Sequence, residues 1–439
     1  MSQAETDFVP PPPLAVPAGP GSGAAKAATD RFSGAMLVLI GICSLVYLLD
    51  GLIHSILGPL APQMARSLHL SNAELGPIFS ANLVGQCIGL VVLPMFVGRI
   101  GQRGIVLVSL LGFGLAQSGS ALADGATSLF VWRLATGVFL GGCLPSCLAI
   151  VSEVAPSARR GLAIMIMFTG YGLGATVAGI VAAAFADFGG WRAAMVGVGG
   201  VCAVAAVVAW VWLRVPVRSG TQGTGTQGTD RGDAKPSPFQ ILSSRYVVGT
   251  LALWLLFISM LTISYCLNSW LPTLLVDVGR EQSFAALSVS IFSLGGIVAA
   301  LGVGVLIDRF GASRTLVAFL TMSTLLLFVV GQVLASASPT LLMVLLATCG
   351  FFTLGAYGGV NVVLAGFYPD ALRALGIGWT KSIGRVGTLI APVLIGLGLT
   401  SGIAETTVMS LFALPAAVAA LSLLAVGLAA KRTGDAPAR

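Results

Sequence analysis

Long apolar stretches alternate with short polar gaps along most of the chain. Each stretch is about as long as a membrane-spanning helix, which needs about 20 predominantly apolar residues. The pattern predicts twelve spanning helices, at residues 35–57, 76–97, 104–122, 128–151, 161–185, 193–213, 247–275, 286–306, 315–335, 339–363, 375–399 and 407–430. The predicted fold class is therefore an all-α polytopic membrane protein.

A polar segment divides the twelve predicted helices into two groups of six. It includes the sequence SGTQGTGTQGTDRGDAKPSP, whose Gly- and Thr-rich composition is typical of flexible linkers. The polar, Pro-rich start of the chain is expected to be a disordered tail. The predicted boundaries are 1–34 for the N-terminal tail, 35–213 for the first bundle, 214–246 for the linker, 247–430 for the second bundle and 431–439 for the C-terminal tail.

Composition agrees with a membrane protein and argues against other classes. Of 439 residues, 56% are hydrophobic and 9% are charged, against about 45–50% and about 25% in soluble proteins. The net charge of +7 is not gathered into a basic stripe with aromatic residues, so we expect membrane lipid and no nucleic acid as a partner. All seven cysteines fall in apolar stretches, where they are expected to pack. We also expect a monomer.

The basic residues outside the predicted helices lie mostly on one side of the membrane. Only Arg66, Arg192 and Arg280 fall on the other side. By the positive-inside rule, the linker and both termini are predicted to be cytoplasmic in the inner (plasma) membrane. The side rich in positive charge carries seventeen basic residues: Lys26, Arg31, Arg99, Arg103, Arg159, Arg160, Arg214, Arg218, Arg231, Lys235, Arg245, Arg309, Arg314, Arg373, Lys431, Arg432 and Arg439.

The two predicted bundles repeat short loop sequences. VGRIGQRG at 97–104 precedes IDRFGASR at 307–314 by 210 residues, and Pro156-x-x-x-Arg160 precedes Pro369-x-x-x-Arg373 by 213. Each pair falls in equivalent predicted cytoplasmic loops. A parallel repeat of two six-helix halves is typical of secondary transporters whose substrate site lies at the midplane between the halves.

Further stretches carry a family resemblance that covers roughly residues 33–430. They are Asp50-Gly51, AELGPIFSANLVGQCIG at 73–89, RLATGVFLGGCLPSCLAIVSEVAPSARRG at 133–161, GWR at 190–192, NSWLPTLL at 268–275, GVLIDRFG at 304–311 and YPDALRALGIGWTKSIGRVG at 368–387. The chain resembles the major facilitator superfamily and, within it, the aromatic acid:proton symporter family. The resemblance implies the major facilitator fold and proton-coupled uptake of an aromatic carboxylate, with protons as the coupling ion and no cofactor.

The sequence departs from the family pattern at two places. The acidic residue of the superfamily's first cytoplasmic loop motif is missing beside Arg99, whereas Asp308 and Arg309 keep it in the second half. The family's D-G-x-D motif in the first helix lacks its second carboxylate here, because Ile53 stands in that place and His54 follows.

Charged residues inside the predicted helices are the first candidates for function. Each costs at least about 2.5–3.5 kcal/mol to insert, so each needs an explanation. Only Asp50, Arg133, Lys381 and Arg385 are of this kind, and together they carry a net positive charge. An excess of positive charge in a central cavity suits an anionic substrate.

Asp50 is the candidate proton-coupling residue, because it is the only acid within a predicted span. The resemblance implies a partner in Arg133, since related symporters have an acid in helix 1 that faces an arginine in helix 4. The alternative is a permanent salt bridge between the two. His54 lies four residues from Asp50 on the same helical face and could relay the proton, or could lie at the outer membrane interface.

Arg385 is the leading candidate for binding the substrate carboxylate, because a guanidinium can donate two parallel hydrogen bonds to it. The alternative is a buried structural ion pair. Lys381 shares the same helical face and either helps to neutralise the substrate or extends to the interface. An aromatic ring would also need flat apolar walls and hydroxyl partners. The candidates for these contacts are Tyr47, Tyr171, Tyr265, Trp270, Phe351, Phe352, Tyr357 and Trp379, with Asn268 and Asn361 for hydroxyl groups.

Charges in the predicted cytoplasmic loops form a candidate gate that would hold the two halves together in one conformation. The alternative role is to set topology alone. The candidate gate residues are Glu153, Arg159, Arg160, Asp308, Arg309, Asp370 and Arg373.

The sequence thus predicts a proton-driven symporter of an aromatic carboxylate such as benzoate or hydroxybenzoate. The alternatives are a proton symporter of another organic anion and a sensor that binds such acids without transporting them. A drug:proton antiporter is disfavoured because FTGYGLGATVAGIVAA at 168–183 lacks the G-P-x-x-G-G motif of those proteins. An enzyme is disfavoured because the chain has no P-loop and no HExxH motif.

Overall fold

The computed structural model describes residues 34–156, 159–186, 188–213 and 241–433. Within these residues all the regular secondary structure is helical. The helices are α1 (Gly34–Leu68), α2 (Asn72–Val92), α3 (Val97–Gly119), α4 (Ala126–Val154), α5 (Arg160–Ala184), α6 (Gly190–Trp212), α7 (Val247–Asp277), α8 (Gln282–Phe310), α9 (Ala312–Val333), α10 (Pro339–Phe367), α11 (Asp370–Thr400) and α12, which consists of Glu405–Leu411 and Ala413–Thr433.

Eleven continuous helical runs in this part of the chain are long and apolar enough to cross a membrane. One of them, Asn72–Leu122, spans 51 residues and contains both α2 and α3, which are joined by a 3₁₀ turn at Leu93–Phe96. The prediction of twelve spanning helices is therefore confirmed. The predicted N-terminal tail, most of the linker and the last six residues lie outside the described residues.

Helix α1 is longer than predicted, because it continues to Leu68 instead of ending at residue 57. The predicted span ends where the uninterrupted apolar stretch ends, just before Gly58 and Pro59. Proline is tolerated inside membrane helices where neighbouring groups satisfy the backbone. Here the Pro59 carbonyl accepts a hydrogen bond from Gln282 Nε2 at 2.9 Å, and the Pro62 carbonyl accepts one from Arg66 Nε at 3.2 Å.

The packing of the helices repeats between the first six and the last six. Helix α1 packs on α5 as α7 packs on α11, and α2 packs on α4 as α8 packs on α10. In the same way α3 packs on α6 and α9 on α12. The chain therefore has two halves of the same internal arrangement, α1–α6 and α7–α12, as the repeated loop sequences predict.

The repeated loops also share a backbone conformation. Gly101 has φ 71° and ψ 169°, and Gly311, 210 residues later, has φ 85° and ψ 147°. Positive φ with extended ψ is accessible to glycine and strained for other residues. The chain turns sharply at the same point in both halves, which explains why the two loop motifs share this glycine.

Twelve crossings place the start of α1 and the end of α12 on one side of the bundle, called here the linker side. The three basic residues predicted for the opposite side bind carbonyls close to the ends of helices. Arg192 donates to Ala121 and Ala123 at 3.1 and 3.2 Å. Arg280 donates to the carbonyls of residues 334, 335 and 337, just after α9. These cations stabilise helix ends in the way that basic side chains commonly do.

The two halves meet closely on the opposite side, where glycines allow backbone contact. An added Cβ at Gly58 of α1 would overlap the carbonyl of Asn268 in α7. A Cβ at Gly76 of α2 would meet the Pro392 carbonyl at 2.7 Å, and one at Gly179 of α5 would overlap α8. Small residues allow such close helix approach in membrane bundles. The opposite side is therefore closed.

Polar bonds reinforce this closure. Arg66 Nη2 donates to Gln282 Oε1 at 2.9 Å, and Ser80 Oγ donates to the Leu389 carbonyl at 2.8 Å. On the opposite side the halves share one hydrophobic core. On the linker side α7–α12 have a separate core that includes Leu253, Leu316 and no residue of α1–α6. The bundle is closed on the opposite side and open on the linker side.

Substituting a glycine of the closed interface should open it. In Gly58→Leu the larger side chain must displace Asn268, so the halves separate on the opposite side. We expect a cysteine introduced by Ser290→Cys, in a Cys87→Ser background, to react with an impermeant maleimide from that side at least about tenfold faster. Gly200→Leu is the matched control, because a Cβ at Gly200 meets nothing within 4 Å. Equal labelling of the two variants would contradict the proposed role of Gly58.

Candidate functional site

Arg385 lies near the middle of α11 and is half-buried. Its hydrogen bond is weak, since Nη1 lies 3.8 Å from the thiol sulfur of Cys87 in α2. In the described part of the chain it forms no ion pair with a carboxylate. Its charge acts on groups from several helices of both halves, namely Asp50, His54, Tyr171 and Tyr357. The guanidinium is thus central and available to an anion.

Asp50 is buried in α1, with 4% of its surface exposed. Its Oδ1 atom has no hydrogen-bond partner among the described residues. The helix places it beside α5, because Gly51 packs against the backbone of Tyr171. A carboxylate in such a site lacks the water and donors that stabilise its charge, so it is sensitive to the charge of Arg385.

Arg133 is fully buried in α4 but does not pair with Asp50. Its Nη2 donates to Gln117 Oε1 at 2.8 Å and to Ser120 Oγ, both near the end of α3. Its Nε and Nη1 atoms have no partner in the described residues. The permanent Asp50–Arg133 salt bridge considered from the sequence is therefore not formed in this conformation, because the guanidinium is held at α3.

His54 lies well inside α1, since that helix continues for fourteen residues beyond it. The alternative position at the outer interface depended on a helix end at residue 57, and the structure does not support it because the helix continues to Leu68. The imidazole ring lies 5.1 Å from the ring of Tyr265 and 6.0 Å from that of Tyr171. Its Nδ1 is 3.5 Å from Nδ2 of Asn82 in α2. His54 is thus enclosed by both halves.

Two of the other predicted tyrosines are packed close to this position. Tyr265 in α7 donates its hydroxyl to the Phe79 carbonyl in α2 at 2.6 Å, so it joins the halves. Tyr47 is buried one turn from Asp50, edge-on to Phe168 at 5.3 Å, and its hydroxyl has no partner among the described residues. Tyrosines therefore supply both apolar walls and a free hydroxyl.

The two asparagines and the tryptophan that were predicted to contact the substrate differ in what they contact here. Asn361 donates its amide to the carbonyls of Tyr357 and Gly358 in its own helix. Asn268 is half-buried in α7, and its backbone carbonyl faces Gly58. Trp379 is 38% exposed and stacks on Trp254 at 6.1 Å.

Four other candidates, one lysine and three aromatic residues, have surroundings that differ from those of Arg385. Lys381 is exposed, one turn from Arg385 toward the linker side. Trp270 is fully buried against Phe79, with ring centroids 5.1 Å apart. Phe351 and Phe352 form an aromatic cluster with Phe319. These last three candidates are packing residues, because their rings contact other core rings.

The candidate gate residues lie at the linker side, where the halves are apart. Glu153, Asp308 and Arg309 are exposed there, and Arg309 lies over the ring of Phe310 at 5.3 Å. Arg159, Arg160 and Arg373 are also exposed. The side chain of Asp370 lies outside the described part of the chain. A latch between the halves would belong to a conformation that is closed on this side.

Sequence reasoning missed three polar residues that the structure brings into the interior. Asn82 is 4% exposed beside His54, and Gln117 and Ser120 are fully buried around Arg133. All three stand inside or at the end of apolar stretches. The argument that was applied to charges, that an intramembrane polar group needs a partner, would have identified them if extended to amides and hydroxyls.

A family model described as Major Facilitator Superfamily matches residues 43–282 and 254–438. The gallate transporter of Pseudomonas putida is 32% identical over 416 residues, which cover 89% of this chain and 91% of that protein. The 4-hydroxybenzoate transporter PcaK of Pseudomonas putida is 31% identical over 418 residues, covering 88% and 91%. These relatives are named as transporters and not as enzymes.

A solved structure gives the same fold at low identity. It is a bacterial homologue of the human lysosomal transporter Spinster, in an inward-facing and unoccupied conformation. The TM-score is 0.68 at 16% identity, and the match covers 92% of this chain and 97% of the other. The likeness therefore shows a common architecture.

Loss of the Gln117 amide should destabilise the protein, because it removes a hydrogen bond to a fully buried charge. Such bonds contribute about 1.5–3 kcal/mol. We expect Gln117→Ala to lower the thermal unfolding midpoint of the detergent-solubilised protein by several degrees. Gln332→Ala is the matched control, because Gln332 is exposed and bonds only Ser410. An equal effect of the two substitutions would show that the Arg133 cluster adds no special stability.

Proposed function

Because the chain belongs to the Major Facilitator Superfamily, we propose that it is a proton-coupled symporter for an aromatic carboxylate, working by alternating access. The substrate class is a benzoate or hydroxybenzoate. The site lies between the two halves, around Arg385. The linker side is assigned to the cytoplasm of a cell whose inner membrane holds the protein, so the open conformation faces inward.

The observation that carries the proposal is the unpaired guanidinium of Arg385. A buried or half-buried charge is expensive unless it has a partner. In the described residues Arg385 has only a distant thiol as a hydrogen-bond partner, whereas a carboxylate would accept two parallel bonds from it. A bound anion would supply the carboxylate partner that Arg385 lacks among the described residues. Lys381 adds positive charge on the path from the linker side.

Two observations support a substrate with an aromatic ring, namely the aromatic side chains around the site and the named substrates of the relatives. The rings of Tyr171 and Tyr265 lie 6.0 and 5.1 Å from the ring of His54 in the interior, and ring pairs add about 0.5–1.5 kcal/mol beyond burial. The named substrates of the two relatives, gallate and 4-hydroxybenzoate, are both aromatic carboxylates. Tyr47 and Tyr357 complete the proposed apolar walls, and Asn268, Asn361 and Trp379 are assigned to the periphery of the site.

Proton coupling is assigned to Asp50 through its electrostatic link to Arg385. When Asp50 is ionised, its charge competes with an incoming carboxylate for the guanidinium. When Asp50 is protonated, Arg385 is left uncompensated and binds the anion more tightly. Proton and anion then favour each other reciprocally, which is the requirement for symport. Arg133 and His54 are proposed to assist, the first by moving from its Gln117 contact and the second as a relay.

Removing the guanidinium should abolish binding. Cys87 is half-buried beside Arg385, while the six other cysteines are buried, so its alkylation reports on the site. We expect benzoate to slow alkylation of Cys87 in the native sequence and to give no protection in Arg385→Ala. Loss of a charge-assisted bidentate pair corresponds to at least about a hundredfold rise in Kd. Lys381→Ala is the matched control, with a smaller loss. Equal protection in Arg385→Ala and the native protein would contradict this role.

Neutralising Asp50 should uncouple transport from protons. In Asp50→Asn the competition for Arg385 is absent at every pH. We expect binding of benzoate to strengthen as pH falls in the native protein and to be independent of pH in the variant. In proteoliposomes the variant should exchange labelled for unlabelled 4-hydroxybenzoate without accumulating it under an inward proton gradient. Gradient-driven accumulation by Asp50→Asn would remove Asp50 from the mechanism. Binding without any transport by the native protein would favour a sensor.

A further inference from the structure

We propose that Asn82 and His54 together form a subsite for a hydroxyl group on the substrate ring, at a position remote from the carboxylate. This inference rests on the proposed function and adds to it a determinant of specificity. The first observation is that Asn82 is 4% exposed and its Oδ1 atom has no hydrogen-bond partner in the described residues. A buried acceptor without a partner costs free energy that a bound donor would recover.

The second observation is the adjacent imidazole. Asn82 Nδ2 lies 3.5 Å from His54 Nδ1, and an amide nitrogen is always a donor. Donation to Nδ1 places the imidazole proton on Nε2 in the neutral ring. The contact with Asn82 is the one hydrogen bond that His54 makes among the described residues, so no acceptor occupies Nε2. The pair therefore offers one free acceptor and one free donor, and a phenolic hydroxyl is both a donor and an acceptor.

The position of Asn82 along α2 determines which hydroxyl of the substrate ring it could bind. Cys87 marks the level of Arg385, and Asn82 lies five residues nearer the closed side. Five residues of α-helix correspond to about 7.5 Å, roughly the reach of a benzene ring with its substituents. Five residues also rotate the helix by about 140°, so Asn82 faces His54 of α1 while Cys87 faces Arg385 of α11. A carboxylate on Arg385 would direct a para or meta hydroxyl toward the Asn82–His54 pair, whereas an ortho hydroxyl would remain beside the carboxylate.

Two other polar groups in the centre are engaged elsewhere, and the unpartnered hydroxyl of Tyr47 belongs to a residue seven positions nearer the linker side than His54. The hydroxyl of Tyr265 donates to the Phe79 carbonyl, and the amide of Asn361 donates to carbonyls of its own helix. His54 directly follows Ile53, the position at which the family motif loses its second carboxylate here, so this subsite rests on this chain's own residues. The structure assigns recognition of the hydroxyl to the N-terminal half and recognition of the carboxylate to the C-terminal half.

The test measures the Kd of benzoate, 4-hydroxybenzoate and 2-hydroxybenzoate from protection of Cys87 at one pH. In the native protein 4-hydroxybenzoate should bind about tenfold more tightly than benzoate, and 2-hydroxybenzoate should not. Asn82→Leu should abolish the preference for 4-hydroxybenzoate. His54→Phe, which keeps a ring and removes the donor, should do the same and serves if Asn82→Leu fails to fold. Gln332→Leu is the control and should keep the preference, because Gln332 is exposed in α9, bonds Ser410 and belongs to no part of the proposed site.

The outcomes separate the inference from the proposed function. No protection of the native protein by any of the three acids would overturn the proposed function and the subsite with it. Protection by all three acids with no preference, or a preference that survives both Asn82→Leu and His54→Phe, would overturn the subsite alone. A preference lost equally in Gln332→Leu would also overturn it, because the effect would then not be local to Asn82.

Discussion

The structure depends on a guanidinium held inside a membrane protein without a carboxylate bound to it. Arg385 has a thiol 3.8 Å away as its hydrogen-bond partner, while the other interior arginine, Arg133, donates to an amide and a hydroxyl. A charge in such a place costs at least about 2.5–3.5 kcal/mol on insertion scales. Under the proposed function that cost is compensated when an anion enters. The same charge acts on Asp50, so the proposal links binding of the substrate and binding of the proton through one residue.

The surroundings of Arg385 follow from the way in which the two halves touch. On the opposite side they meet at glycines, where backbone lies against backbone, and the core is continuous. On the linker side the second half has a core of its own. A rigid half can rotate against the other only if the contacts on one side release while others form. The close glycine contacts define the closed side in this structure, and the exposed charges of the linker side remain the predicted latch of the other state.

Much of the fold follows from the sequence, because hydrophobic length, the polar linker and the repeated loop motifs are each set by local residues. Gly101 and Gly311 show this well, since their shared positive φ explains the repeat. The end of α1 could not be placed in this way, because Pro59 and Pro62 stay helical through contacts with Gln282 and Arg66. Asp50 and Arg385 were identified from charge alone. The partners of Arg133 and the position of Asn82 depend on tertiary packing, which no local pattern encodes.

The most direct measurement is an experimental structure of the protein with 4-hydroxybenzoate bound. The account predicts the carboxylate on the guanidinium of Arg385, the ring between His54, Tyr171 and Tyr265, and the hydroxyl at Asn82, with the opposite side closed. Density for the acid at another place, with Arg385 paired instead to a carboxylate of the protein, would contradict the claim that the unpaired arginine is the binding site.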